Sequence, residues 1–105
     1  MRIVREEQFG AALPIVSYSS LDQAIELAND SEFGLGASIW TPDMERARQL
    51  APELEAGTVW INQHTVVELD APFGGWKQSG IGRERGRWGL DAYLEPTTVN
   101  WRAHN

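Results

Sequence analysis

Chemistry begins with side chains that attack, move protons, hold metals or cradle phosphates, and this sequence offers few of them. It contains no cysteine, so thiol nucleophiles, thiolate metal sites and disulfides are all excluded within the chain. His64 and His104 are its only histidines, too few for a multi-histidine centre, and no metal is expected. His64, Asp70 and Ser79 have the residue types of a hydrolytic triad. No serine stands in the Gly-x-Ser-x-Gly elbow that presents such a nucleophile, however, and a loop histidine is the better reading. No catalytic residue is therefore assigned.

Phosphate chemistry fares little better. Gly80-x-Gly82-x-x-x-Gly86 places its last glycine one residue late for a dinucleotide fingerprint, and no strand immediately precedes the first. Lys77 lies between Trp76 and Gln78, without the glycine and hydroxyl neighbours of a Walker loop. Arg83, Arg85 and Arg87 have the guanidinium forks that grip phosphate, but in so acidic a chain a solvated or ion-paired helix start is favoured. The five tryptophans are read as core and interface packing, because the basic residues that would track a nucleic-acid backbone are too few.

At 105 residues, 42% hydrophobic and 23% charged, the chain has the composition of one globular domain. Its net charge of −6 gives no long-range attraction to nucleic acid or anionic membranes. No apolar run approaches the ~20 residues of a membrane span. The opening Met1–Glu7 lacks the apolar stretch of a signal peptide, so a cytoplasmic location is expected.

The elements that must position these residues alternate. Ala12 to Tyr18 reads as a buried strand, with Pro14 marking its start or edge. Ser20 and Gln23 form a capping-box pair ahead of a helix striped by Leu21, Ala24, Ile25 and Ala28. Gly34 to Trp40 reads as a second strand. Thr41 suits the N-cap and Pro42 the first position of a second helix, which Pro52 should kink or end. Thr58 to Asn62 is a β-branched, aromatic third strand. This order predicts an α/β fold with a parallel βαβαβ core. A long glycine-rich loop follows from Gln63 to Gly82, then a helix from Arg83 to about Leu94 and a short strand over Thr97 to Trp101.

Three stretches are more specific: Glu6-Glu7-Gln8-Phe9-Gly10, Gly57-Thr58-Val59-Trp60-Ile61-Asn62, and Pro72-Phe73-Gly74-Gly75-Trp76-Lys77-Gln78-Ser79-Gly80-Ile81-Gly82-Arg83-Glu84. In order and spacing the chain resembles the C-terminal part of an aldehyde dehydrogenase catalytic domain. The resemblance implies residues 1–95 as catalytic-domain sequence and 96–105 as the terminal strand that takes part in joining subunits. It implies an activity, NAD(P)-dependent oxidation of an aldehyde to a carboxylic acid, whose cysteine nucleophile, general-base glutamate and cofactor domain all lie upstream of the matching region. This chain alone should be inactive and should bind NAD or NADP very weakly if at all.

Residue by residue, Glu7 matches the carboxylate that accepts hydrogen bonds from the nicotinamide ribose, and Phe9 the aromatic packed beside the nicotinamide. Phe73 falls in the loop that resembles the substrate-entry wall, although a Phe between Pro72 and Gly74 also serves as a loop anchor. Asn62 is read as fixing the strand end. Departures from the pattern leave the substrate open: Ala11 stands where many relatives have proline, Val67 or Glu68 where an aromatic is common, and Pro52 interrupts a helix. Met1–Arg5 reads like interior sequence, as in a truncated reading frame or an excised domain. The expected partners are a second copy or the remainder of an aldehyde dehydrogenase. The alternative to a dehydrogenase segment is a non-catalytic oligomerisation or interaction module.

Overall fold

The computed structural model describes residues 1–103. His104 and the end of the expected 96–105 segment lie outside the described residues. A short helix, α1 (Arg2–Arg5), opens the chain, followed by extended backbone to Ser19. The expected strand over Ala12 to Tyr18 is absent: Leu13 and Ile15 are 85% and 92% exposed, and no neighbouring edge among the described residues takes up their backbone. An apolar alternation makes a strand only where a partner completes its ladder.

Ser20 then caps α2 (Leu21–Asn29), its hydroxyl accepting from the Gln23 amide at 3.2 Å. The reciprocal half of the capping box reaches one residue further back, Gln23 Oε1 accepting from the Ser19 amide at 2.6 Å. Two strands follow, β1 (Phe33–Gly34) and β2 (Gly36–Ile39), and after them α3 (Met44–Leu50). The cap of α3 is Asp43, not Thr41: its carboxylate accepts from the Arg46 amide at 3.0 Å, while Thr41 Oγ1 accepts from the Asp43 amide. Pro52 ends the α-helix early, as expected, by turning Ala51–Glu53 into a 3-10 segment.

β3 (Thr58–Ile61) lies parallel to β2, with Gly36 opposite Thr58 and Ile39 opposite Ile61. The fold is thus a small mixed α/β unit with one parallel pair and α3 between its strands, rather than the expected βαβαβ core. The glycine-rich loop is more ordered than expected: β4 (Trp76–Lys77) pairs antiparallel with β1. The last helix, α4 (Gly86–Asp91), starts three residues late because Glu84 is engaged in a bridge with Phe73 and Arg85 has φ +66°. Thr97 to Trp101 forms no strand and is exposed.

Among the described residues the buried apolar ones are Ala47 and Leu54, beside the groove between α2, α3 and β2, and Trp60, in the wall of the cleft under the loop after β3. Around these few residues the chain is open. Its radius of gyration is 19.2 Å, against about 13 Å for a compact domain of this length. Its accessible surface is 9145 Å², against about 5,900 Å² for a folded monomer of this mass.

Candidate functional site

Parallel strands end at the same side of a sheet, and ligands of open α/β folds gather beyond those carboxyl ends. Here the ends of β2 and β3 are tied together by Asn62, the residue after β3. Its Oδ1 accepts from the Thr41 amide at 2.8 Å and its Nδ2 donates to the Thr41 carbonyl at 2.7 Å. Asn62 holds φ +53°, a left-handed conformation that asparagine tolerates better than most residues. It fixes the strand end, as expected.

From Asn62 the chain folds back over the sheet. Trp60 Nε1 donates to the Val66 carbonyl at 2.6 Å, anchoring the return. The His64 ring meets Trp60 edge-on, with centroids 5.1 Å apart, and its Nδ1 lies 2.5 Å from Ser38 Oγ on β2. Beneath this loop is a cleft of about 160 Å³, walled by Trp60, Val66, Val67, Pro72 and Phe73. Thr58, Gln63 and Glu68 add polar groups to this mostly apolar lining, and the cleft is smaller than a typical ligand pocket.

Phe73 is half-buried and held from two sides. Its backbone exchanges two 2.8 Å hydrogen bonds with Glu84, and the Arg85 guanidinium sits 5.8 Å from its ring centroid, within cation–π range. Arg83 grips the loop from below, donating to the carbonyls of Gly75 at 2.9 Å and Gly82 at 2.7 Å. Those donors are not turned toward a phosphate. Lys77 is likewise structural: its ammonium donates to the carbonyls of Asn29 and Ser31 and pairs with Glu55 at 2.5 Å.

The residues weighed for a triad do not come together. Ser79 Oγ accepts from the Gly34 amide at 2.9 Å, while His64 has Ser38 as its partner. Sequence reasoning missed Ser38, although its signal was present: it is the polar residue between Ala37 and Ile39, on the strand face that Trp60 shares in register. Glu7 and Phe9 lie in the exposed segment after α1 and do not line the cleft. Phe9 is 95% exposed. Nearby, the Arg2 guanidinium pairs with Glu6 at 2.8 Å, which raises its pKa above the ordinary value.

With this geometry in place, comparison with known proteins is decisive. The model of the aldehyde dehydrogenase family matches residues 1–99. The chain belongs to that family. It is 52% identical over 94 residues to the peroxisomal aminoaldehyde dehydrogenase 2 of Malus domestica, covering 90% of this chain and 19% of that protein. It is 46% identical over 110 residues to the betaine aldehyde dehydrogenase of Bacillus subtilis (strain 168), covering 96% and 22%. Among solved structures, the NAD+ complex of an aldehyde dehydrogenase from Bacillus cereus superposes with a TM-score of 0.86 at 48% identity, over 90% of this chain and 19% of that one. The chain thus spans about a fifth of the length of the relatives it matches.

Membership sharpens what the described residues do and do not build. They do not form a dinucleotide cradle. The strand before Gly80-x-Gly82 is the two-residue β4, antiparallel to β1, and the helix after it runs for six residues, so no βαβ phosphate turn exists there. Glu7 and Phe9 are left without surrounding walls. Among the described residues no cluster of three or more His, Asp or Glu side chains has metal-binding geometry, and no helix is long and apolar enough to cross a membrane.

Proposed function

We propose that this chain is the C-terminal segment of an NAD(P)-dependent aldehyde dehydrogenase catalytic domain, inactive by itself. The observation that carries the reading is a family match over residues 1–99 in a sequence with no cysteine. NAD or NADP supplies the hydride acceptor in the complete enzyme. In that setting Glu7 accepts hydrogen bonds from the nicotinamide ribose, Phe9 walls the ring, and Phe73 lines the approach of a small aldehyde. The bonding of Phe73 to Glu84 and Arg85 supports the last role, because a substrate wall must keep its position.

The test is NADH or NADPH formation by the purified chain with an aldehyde. No rate above buffer is expected, and a rate that survives removal of contaminating dehydrogenase would overturn the reading. Calorimetry with NAD is expected to show no measurable heat of binding, since the contacts to adenine and pyrophosphate have no counterpart among the described residues.

A second reading, a non-catalytic interaction module, is favoured by one specific observation. Residues 1–19 and 92–103 carry balanced charge, while the 20–91 body carries all of the net −6. Both arms expose large apolar side chains, among them Phe9, Ile15, Val99 and Trp101. Neutral apolar arms can pack against a second copy or against the rest of a dehydrogenase without charge repulsion. Sedimentation equilibrium is expected to show mass rising with concentration. A concentration-independent monomer that also fails to bind a family enzyme would remove this second reading.

A further inference from the structure

We propose that Met44 is an oxidative modification site, where hydrogen peroxide makes a sulfoxide whose oxygen tightens the clamp between β2 and β3. The sequence holds two methionines and no cysteine, so mild peroxide meets two thioethers and no thiol. Met1 is 95% exposed in the opening arm, and Met44, the first residue of α3, is 40% exposed. Both are within reach of the oxidant, and they differ in what surrounds the sulfur.

The neighbour of Met44 is the residue that ends β3. Asn62 Nδ2 lies 3.3 Å from Met44 Sδ. A side-chain amide has two hydrogens to give. One goes to the Thr41 carbonyl at 2.7 Å, which leaves the other for the sulfur. Asn62 also accepts from the Thr41 amide at 2.8 Å and donates its own backbone amide to the Ile39 carbonyl at 2.9 Å. Of these four contacts three are strong bonds to backbone groups. The fourth ends on a thioether, which is a weak acceptor.

Oxidation changes that one member of the set. A lone pair of Sδ attacks the nearer oxygen of the peroxide, the S–O bond forms as the O–O bond breaks, and a proton passes to the departing oxygen. The sum is thioether plus hydrogen peroxide to sulfoxide plus water, with sulfur oxidised by two electrons and the peroxide reduced by two. The product carries a polar oxygen on a flexible side chain, beside a donor that had only sulfur to receive it. Methionine oxidation ordinarily disrupts because the polar group enters apolar surroundings. Here a polar partner is already in place, and the new bond ties the start of α3 to the end of β3.

The test treats the full 105-residue chain with dilute hydrogen peroxide and follows it by peptide mapping, urea midpoint and the side-chain amide signals of Asn62. Met1, being more exposed, should convert first and leave the midpoint where it was. As Met44 converts, the unfolding equilibrium constant should fall about threefold, within what one neutral hydrogen bond supplies, and one Asn62 side-chain proton should move downfield. The two epimer-specific methionine sulfoxide reductases together should reverse both changes. Met44→Leu should show neither. A midpoint that moves with Met1, a midpoint that falls or stays as Met44 converts, an unmoved Asn62 signal, or a Met44 that stays reduced after Met1 is fully oxidised would overturn the proposal. The time course within the unaltered chain decides the matter even if Met44→Leu fails to fold. Neither NAD nor aldehyde enters the experiment, so its outcome is independent of the dehydrogenase reading.

Discussion

At the scale of single residues, the site depends on groups that make two bonds at once. Asn62 joins the ends of β2 and β3 through both halves of its amide and adds a weak 3.3 Å contact from Nδ2 to the Met44 sulfur, so Asn62→Ala should lose both strong bonds and place alanine at positive φ. A loss of about 2 kcal/mol is expected from two neutral hydrogen bonds at roughly 1 kcal/mol each. Asn62→Asp, which can only accept, should lose at least as much, because its second carboxylate oxygen would face the Thr41 carbonyl oxygen where Nδ2 now donates at 2.7 Å. Urea midpoints followed by tryptophan fluorescence check both, and an alanine variant within experimental error of wild type would contradict the role. Gly57 makes a stricter demand, because a Cβ there would stand 1.6 Å from the Gly74 carbonyl oxygen. Gly57→Ala must therefore push the 72–75 loop off β3, at a cost of about 3 kcal/mol or more, read from the same titration. Asn62 was legible because an asparagine after a β-branched run points to a strand terminus. Ser38 was not, because its partner lies 26 positions away and only the return of the loop brings them together.

At the scale of elements, what was legible divides by whether an element is self-contained. The start of α2 and the end of α3 were, since caps, apolar stripes and prolines act within a dozen residues: α2 begins after Ser20, and Pro52 ends α3; α1 carried no such signal, and α4 starts at Gly86 instead of Arg83. Strands depend on partners. Thr58 to Ile61 pairs with β2 and forms, whereas Ala12 to Tyr18 and Thr97 to Trp101 have the pattern but pair with no strand among the described residues. β4 was hidden for the opposite reason, since Trp76–Lys77 sits in a glycine-rich run and owes its pairing to Phe33–Gly34. Even a local rule misplaced the cap of α3, where Thr41 was expected and Asp43, two residues on, takes the role. The structure gives the amide of Arg46 to Asp43 and leaves Thr41 to brace the cap. Asp43→Ala should therefore cost about 1 kcal/mol and Thr41→Ala distinctly less, measured by urea midpoint; the reverse order would restore Thr41 as the cap.

At the scale of the whole molecule, the open surface has a consequence for cooperativity. A chain of this mass exposes about 17,000 Å² when unfolded and about 5,900 Å² when compact. With 9145 Å² still exposed, folding here hides only about seven-tenths of the area that a compact chain would hide. The denaturant slope m scales with that area, so urea unfolding of the dilute chain should show an m value about 30% below that of a compact domain of equal length. Small-angle scattering at the same concentration should give a radius of gyration near 19.2 Å. Raising the concentration moves both quantities if the neutral arms find each other: association would cover Phe9, Ile15, Val99 and Trp101 and steepen the transition. A full-sized m value at high dilution, together with a radius near 13 Å, would mean instead that the arms close over the body of their own chain, and the surface offered to a partner would be lost.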